Sequence, residues 1–227
     1  MRPLAILLAS LIASITSAQP RYRAQSTLGG GSEVGIPTGE FDHTFGRNIW
    51  GFGAQIAFPV SRILPLQGGF DFGYGHLGGD QALVPVHNVA LTAGSGNLHI
   101  NCKVYSYMPF LRFEPLQGKF RPYVDGLIGF RQFVTTSTVN VAGLSQPISS
   151  QRVANDVAFS HGWAVGLMMR LGPLAYVEGR VERISSGSAT YVDPSSISIS
   201  DQGNVHFGTL TSRTDVTNIQ LGIGLRF

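Results

Sequence analysis

From Thr27 to Phe227 apolar positions alternate with polar or small ones, in runs broken by Gly, Pro, Ser and Asp. A two-residue period places successive side chains on opposite faces of a strand, and helical spacing is nowhere sustained. The runs predict strands over Thr27–Pro37, Ile49–Phe58, Leu66–His76, Asn101–Phe113, Phe120–Thr135, Val157–Leu171, Leu174–Ile184 and Thr214–Phe227. One face carries Trp50, Phe52, Ile56 and Phe58, then Phe70, Phe72 and Tyr74, then Phe159, Trp163, Val165, Leu167 and Met169. The other carries Gly51, Gly53 and Gln55, then Gln67, Gly69, Asp71 and Gly73, then Ser160, Gly162, Ala164 and Gly166.

A soluble barrel turns its apolar face inward and a membrane barrel turns it outward, and period alone does not choose between them. Side-chain size does. A barrel of about eight strands has a lumen just wide enough for side chains. Glycine and small polar residues are therefore expected inside, with Trp, Phe and Tyr facing lipid and forming girdles near the strand ends. The connectors point the same way. Pro59–Pro65, Glu114–Lys119 and Gly172-Pro173 are short, whereas Thr38–Asn48, Leu77–Ile100, Thr136–Asp156 and Ser185–Arg213 are long, and the two kinds alternate along the chain. Short turns on the periplasmic side and long loops outside are the rule for outer-membrane barrels.

In the same phase the inward face carries Glu33, Asp71, Asp125, Glu178 and Glu182 against Arg112, Arg131, Arg170, Arg180 and Arg226. Charges withdrawn from water are tolerated when paired, so these residues predict a luminal salt-bridge lattice that fills the barrel. Glu114 and Arg121 share the phase but fall at a turn, where solvation is expected.

Composition narrows the class. With 227 residues the chain suits one domain, its charged fraction is 13% and it holds 29 glycines. The net charge of +3 comes from scattered basic residues, not from runs, which speaks against nucleic-acid binding. The single cysteine, Cys102, excludes an intramolecular disulfide and a CxxC metal site. Arg2, the apolar stretch Leu4–Ile15 and Thr16-Ser17-Ala18 form the three-part layout of a secretory signal, so residues 1–18 are expected to be removed after Ala18, leaving a barrel domain over 19–227. No lipoprotein-type cysteine follows. No later apolar run reaches the roughly 20 residues of a spanning helix, so a membrane position requires a closed barrel.

The last strand, Asn218-Ile219-Gln220-Leu221-Gly222-Ile223-Gly224-Leu225-Arg226-Phe227, alternates and ends on an aromatic. It resembles the C-terminal signal of Gram-negative outer-membrane barrels. Together with Val34-Gly35-Ile36-Pro37-Thr38-Gly39-Glu40-Phe41 and Phe120-Arg121-Pro122-Tyr123-Val124, it is similar to the outer-membrane beta-barrel domain family, the small OmpA- and OmpX-like group. The resemblance implies a closed antiparallel up-and-down transmembrane barrel with both termini in the periplasm of a Gram-negative cell. It implies outer-membrane lipids as surroundings. It also implies a barrel assembly machinery that reads Ile219, Leu221, Ile223, Leu225 and Phe227. No peptidoglycan-binding segment like that of OmpA follows the last strand, so no cell-wall tether is expected.

Chemistry is harder to find. His43, His76, His87, His99, His161 and His206 show no HxH or HExxH spacing, and no cofactor or metal is expected. Outer-membrane lipid A deacylases need a His with a Ser two positions on. None of the six has one, and Ser160, beside His161, falls on the opposite face. Gly29-Gly30-Gly31 and Gly78-Gly79 precede no GK[ST] and no helix, so they are not phosphate loops. The expectation is a structural or surface-interaction protein acting through its loops. Ser185–Arg213, with Ile197-Ser198-Ile199-Ser200, is the candidate surface for a partner that adds a strand. A lipid A-modifying enzyme and a small-solute pore are the alternatives.

Overall fold

The structure, a computed structural model, describes residues 25–61, 64–88, 91–141, 149–199 and 205–227; the signal segment and its cleavage point lie outside the described residues. Alternation becomes pairing along the whole chain. Strands β1 (Thr27–Pro37), β2 (Ile49–Pro59), β3 (Leu66–Asn88), β4 (Leu91–Phe113), β5 (Phe120–Val141), β6 (Ser149–Arg170), β7 (Ala175–Ser186) and β12 (Val216–Arg226) close a barrel in which every neighbour is antiparallel. The first and last strands meet from Thr27↔Arg226 to Pro37↔Val216, so the sheet has no edge at that height. Closure satisfies every ladder internally, the condition for backbone in hydrocarbon.

The eight predicted strands are all present, but half of them run well beyond their expected ends and are about twice as long as the other four. β1, β2 and β12 have 11 residues and β7 has 12, close to the roughly 9–11 of a membrane-crossing strand. β3 and β4 have 23 residues and β5 and β6 have 22. The segments expected as open loops, Leu77–Ile100 and Thr136–Asp156, therefore hold the outer halves of two hairpins, paired out to Asn88↔Leu91 and Val139↔Ser149. In these extensions only the residues nearest the barrel mouth, such as Leu98 and Ile100, stay buried on the inner face, and the apolar rhythm fades although backbone pairing continues. The β-branched run Thr135-Thr136-Ser137-Thr138-Val139 is the trace it leaves in the sequence. The result is a four-stranded wall rising from one side of the barrel.

Two further elements occupy the long-loop end. Helix α1 (Glu40–Phe45) lies in the connector expected as loop Thr38–Asn48. Gly39 and Gly46 bracket it, both at φ 62, and Gly46 is its left-handed cap. Phe41 and Phe45, four apart, share its inward face and are buried. The longest connector folds into β8 (Ser188–Val192), paired with β11 (Thr209–Arg213), and β9 (Ser198–Ile199), paired with β10 (Val205–His206). One side of it is packed onto the barrel mouth: Tyr191, Val192 and Ile197 are buried beside α1, the short strands pair only with each other among the described strands, and Ser200 lies outside the described residues.

The barrel faces separate as the size argument requires on the outside and only in part within. Trp50, Phe58, Phe120, Phe159, Trp163, Leu167 and Phe227 are exposed on an apolar belt. Inside, however, Phe110, Tyr123, Phe133 and Tyr176 are buried, where only small residues were expected. Glycines on facing strands make the room. A methyl group at Gly166 would overlap the Tyr123 ring, and one at Gly29 or Gly224 would overlap Tyr176. The lumen is filled by large side chains set against missing ones.

Candidate functional site

The lumen is organised in layers, and its centre is a polar lattice. Arg112 on β4 donates through Nε and Nη2 to the two Asp125 oxygens, at 2.8 and 2.9 Å, and through Nη2 to Gln55 Oε1 at 2.6 Å. Its guanidinium also lies 3.6 Å from the Tyr123 ring centroid. Arg180 on β7 reaches Asp71 at 3.2 Å, Asp125 at 3.1 Å and Glu182 at 2.8 Å, and shares Gln55 Oε1 at 2.8 Å. Glu178 accepts from Gln55 Nε2 at 2.6 Å and from the Tyr123 hydroxyl. Five strands are thus tied through the interior by charge-assisted bonds. Asp71, Asp125, Glu178, Arg180 and Glu182 come together; Gln55 and Tyr123, neutral links within it, carry no charge signal that a reading of sequence would notice.

The remaining luminal residues sit elsewhere. Arg131 donates to the Thr214 carbonyl oxygen at 2.7 Å near the long-loop end, 5.5 Å from the Phe133 ring. With Glu33 and Asn218 it lines a void of about 10 Å³, room for about one water. Arg170 and Arg226 do not belong to the lattice: they fall at the short-turn mouth, where β6 and β12 end, and pair with no carboxylate among the described residues. Glu114 and Arg121 are not solvated, contrary to what their place at a turn suggested. They are buried and ion-paired, and Glu114 accepts a further bond from Gln67 Nε2 at 3.1 Å. Both side chains lie on the luminal side at the strand ends, where each other and Gln67 replace the water that the turn suggested.

An apolar cap closes the other mouth. Phe41 stacks on Phe45 at 5.3 Å and meets Tyr191 edge-on at 5.5 Å; Tyr191 lies 5.6 Å from Phe133. Ile49, Leu77, Ile100, Cys102 and Val104 complete the cluster. The Tyr191 hydroxyl pairs with Ser212 Oγ at 2.9 Å, and burial raises its pKa. From mouth to mouth the lumen therefore passes from arginine rim to polar lattice to aromatic cap.

The surface offers less. Among the described residues no group of three His, Cys, Asp or Glu is placed to hold a metal. His161 stands exposed on the apolar belt beside Phe159, and Ser160 is buried in the lumen against Ser186, 2.8 Å away. The register sets Ser185 opposite His161 on the outer face, a cross-strand juxtaposition that spacing along one strand does not reveal. No hydrogen bond links these two side chains or joins a carboxylate to His161 among the described residues. The C-terminal residues Ile219, Leu221, Ile223, Leu225 and Phe227 all project outward from β12 or its end.

No protein-family model matches the chain, and no curated protein matches it. Among solved structures it is similar to a major outer membrane protein from Thermus thermophilus, with 13% identity, 91% of this chain and 100% of that one covered and a TM-score of 0.50. Ail, the attachment invasion locus protein of Yersinia pestis, aligns with 13% identity over 91% and 100% of the two chains at a TM-score of 0.48. OprG from Pseudomonas aeruginosa aligns with 13% identity over 92% and 98% at 0.44. The likeness concerns the fold, and on the first of these structures, together with the closed eight-strand sheet, the chain has the fold of the outer-membrane β-barrels.

Proposed function

We propose that the chain is an integral protein of the Gram-negative outer membrane, exported by its first 18 residues, sealed along its lumen, and acting through the wall it raises above the membrane. The observation that carries this reading is a division of labour between strands. The interior is stitched from Gln55 through Arg112, Asp125 and Arg180, while β3–β6 continue well beyond the apolar belt. At about 3.3 Å per residue, their extra ten or so residues add roughly 35 Å of paired backbone. A pore needs an open lumen and gains nothing from such a wall; a surface that meets partners gains reach.

The partner surface moves accordingly from Ser185–Arg213 to the wall. Beyond His76, β3 pairs only with β4 among the described strands, so its other edge offers backbone groups for strand addition. The register shift between His76 and Gly78, and Pro85 on the same strand, limit indiscriminate pairing along it. The apolar belt takes outer-membrane lipid, and the alternating end of β12 is the segment offered to the barrel assembly machinery. A non-catalytic role is part of this reading, and it is supported by the burial of Ser160 in the lumen against Ser186, away from its sequence neighbour His161 on the belt. In planar bilayers the full chain is expected to give no steady conductance steps. Reproducible steps at the size of a water-filled channel would overturn the sealed-lumen reading.

A further inference from the structure

The arginine rim at the short-turn mouth remains unused by this reading. Arg121, Arg170 and Arg226, with Gln25, Gln117 and Gly118, line a pocket of about 350 Å³. Glu114 offsets one of the three guanidinium charges by pairing with Arg121. Arg226 is only 6% exposed, with no carboxylate partner among the described residues, and Arg121 Nε is buried without a hydrogen-bond partner. Lys119 and Arg170 line a second pocket immediately beside it.

A buried guanidinium without a carboxylate partner among the described residues, Arg226, held beside two further guanidinium groups is unfavourable unless an anion joins it. A structural explanation would place a carboxylate among them, as the lattice does deeper in the lumen, yet the local carboxylate is already engaged by Arg121 and Gln67. Guanidinium groups facing one cavity suit a tetrahedral oxyanion, because each presents paired N–H donors to two oxygens. We infer that this mouth binds a phosphate group, held by Arg170 and Arg226 with Arg121 Nε as a further donor. The apolar residues Leu171 and Phe120 are exposed next to the second pocket, so the phosphate can be that of a lipid headgroup whose chains lie on the belt, or a soluble phosphate entering from the mouth.

The test uses the full folded chain in a non-ionic maltoside. Inorganic phosphate is titrated calorimetrically in one arm. In the other, phosphatidylglycerol in mixed micelles is titrated against diacylglycerol, which lacks the phosphate. Saturable binding in either arm, weakened at least about tenfold in Arg170→Gln/Arg226→Gln through loss of charge-assisted bonds, is the expected result. The arm that responds identifies the source. Far-UV circular dichroism establishes that the double variant is folded; should it fail, Arg170→Gln alone, at an exposed position, is expected to weaken binding measurably. No saturable binding in either arm, or binding unchanged in the folded variant, overturns the inference.

Discussion

Arg112 and Asp125 meet across the β4–β5 ladder as a two-pronged ion pair in which both side chains are wholly buried. Asp125 simultaneously receives Arg180 from β7, two strands round the barrel. Removing this one carboxylate therefore takes from Arg112 its two-pronged partner and from Arg180 one of its three carboxylates. Asp125→Ala should destabilise the barrel by about 3–5 kcal/mol, the usual effect of breaking a buried pair on one side. Urea unfolding in micelles followed by tryptophan fluorescence measures it. A loss below about 1 kcal/mol, the range of exposed pairs, would mean that the lattice is wetter than its geometry indicates.

The glycine-for-ring exchange gives a second expectation. Gly166→Ala drives a methyl into Tyr123 and should cost about 1–3 kcal/mol as overpacking. Tyr123→Leu, which shortens the opposing side chain, should relieve part of that cost, so the two changes are expected to be non-additive. Strict additivity in the double-mutant cycle would separate the two positions.

The two faces of β6 differ in what they tolerate. Leu167 is exposed on the belt and Ala164 is buried in the lumen. Leu167→Arg should cost about 2–4 kcal/mol if it lies near the bilayer midplane. Ala164→Ser, placing a small hydroxyl beside a polar interior, should be the milder change. Folding yields into lipid vesicles compare them, and reversed severity would turn the barrel inside out.

Cys102 reports on the cap. It is the chain's only cysteine and is buried in the same cluster as Phe41 and Tyr191. Maleimide should label it slowly in the folded protein and much faster in Phe41→Ala/Phe45→Ala, which removes both rings of α1. Equal rates would show that the helix does not cover the mouth.

How much of this was legible beforehand depends on the physical signal each feature leaves. Strand number and the outward face of residues such as Trp163 and Leu221 follow from alternation, because lipid on one side and packing on the other enforce a period of two. The full length of β3–β6 does not, since beyond the mouth a strand with no lipid on its outer face has no reason to keep a strict apolar alternation. The charged core at Asp71, Asp125 and Arg180 could be read from phase. The separate fates of Arg170 and Arg226 could not, because phase gives direction but not height. Helix α1 left a faint mark in Phe41 and Phe45 between two glycines, too short to stand out from a loop.

The direction of the wall is the most direct question. In a Cys102→Ser background, single cysteines at Leu83 on β3 and at Ser198 on β9, both exposed, should react with a membrane-impermeant maleimide on intact cells. A cysteine at Leu116, exposed in the β4–β5 turn, should react only after the outer membrane is permeabilised. Because each strand of a closed antiparallel barrel reverses direction, all three sites must agree. Labelling at Leu83 and Ser198 with protection at Leu116 is the result expected of a wall that faces outward. Labelling of Leu116 on intact cells, with Leu83 protected, would contradict it and place the wall in the periplasm.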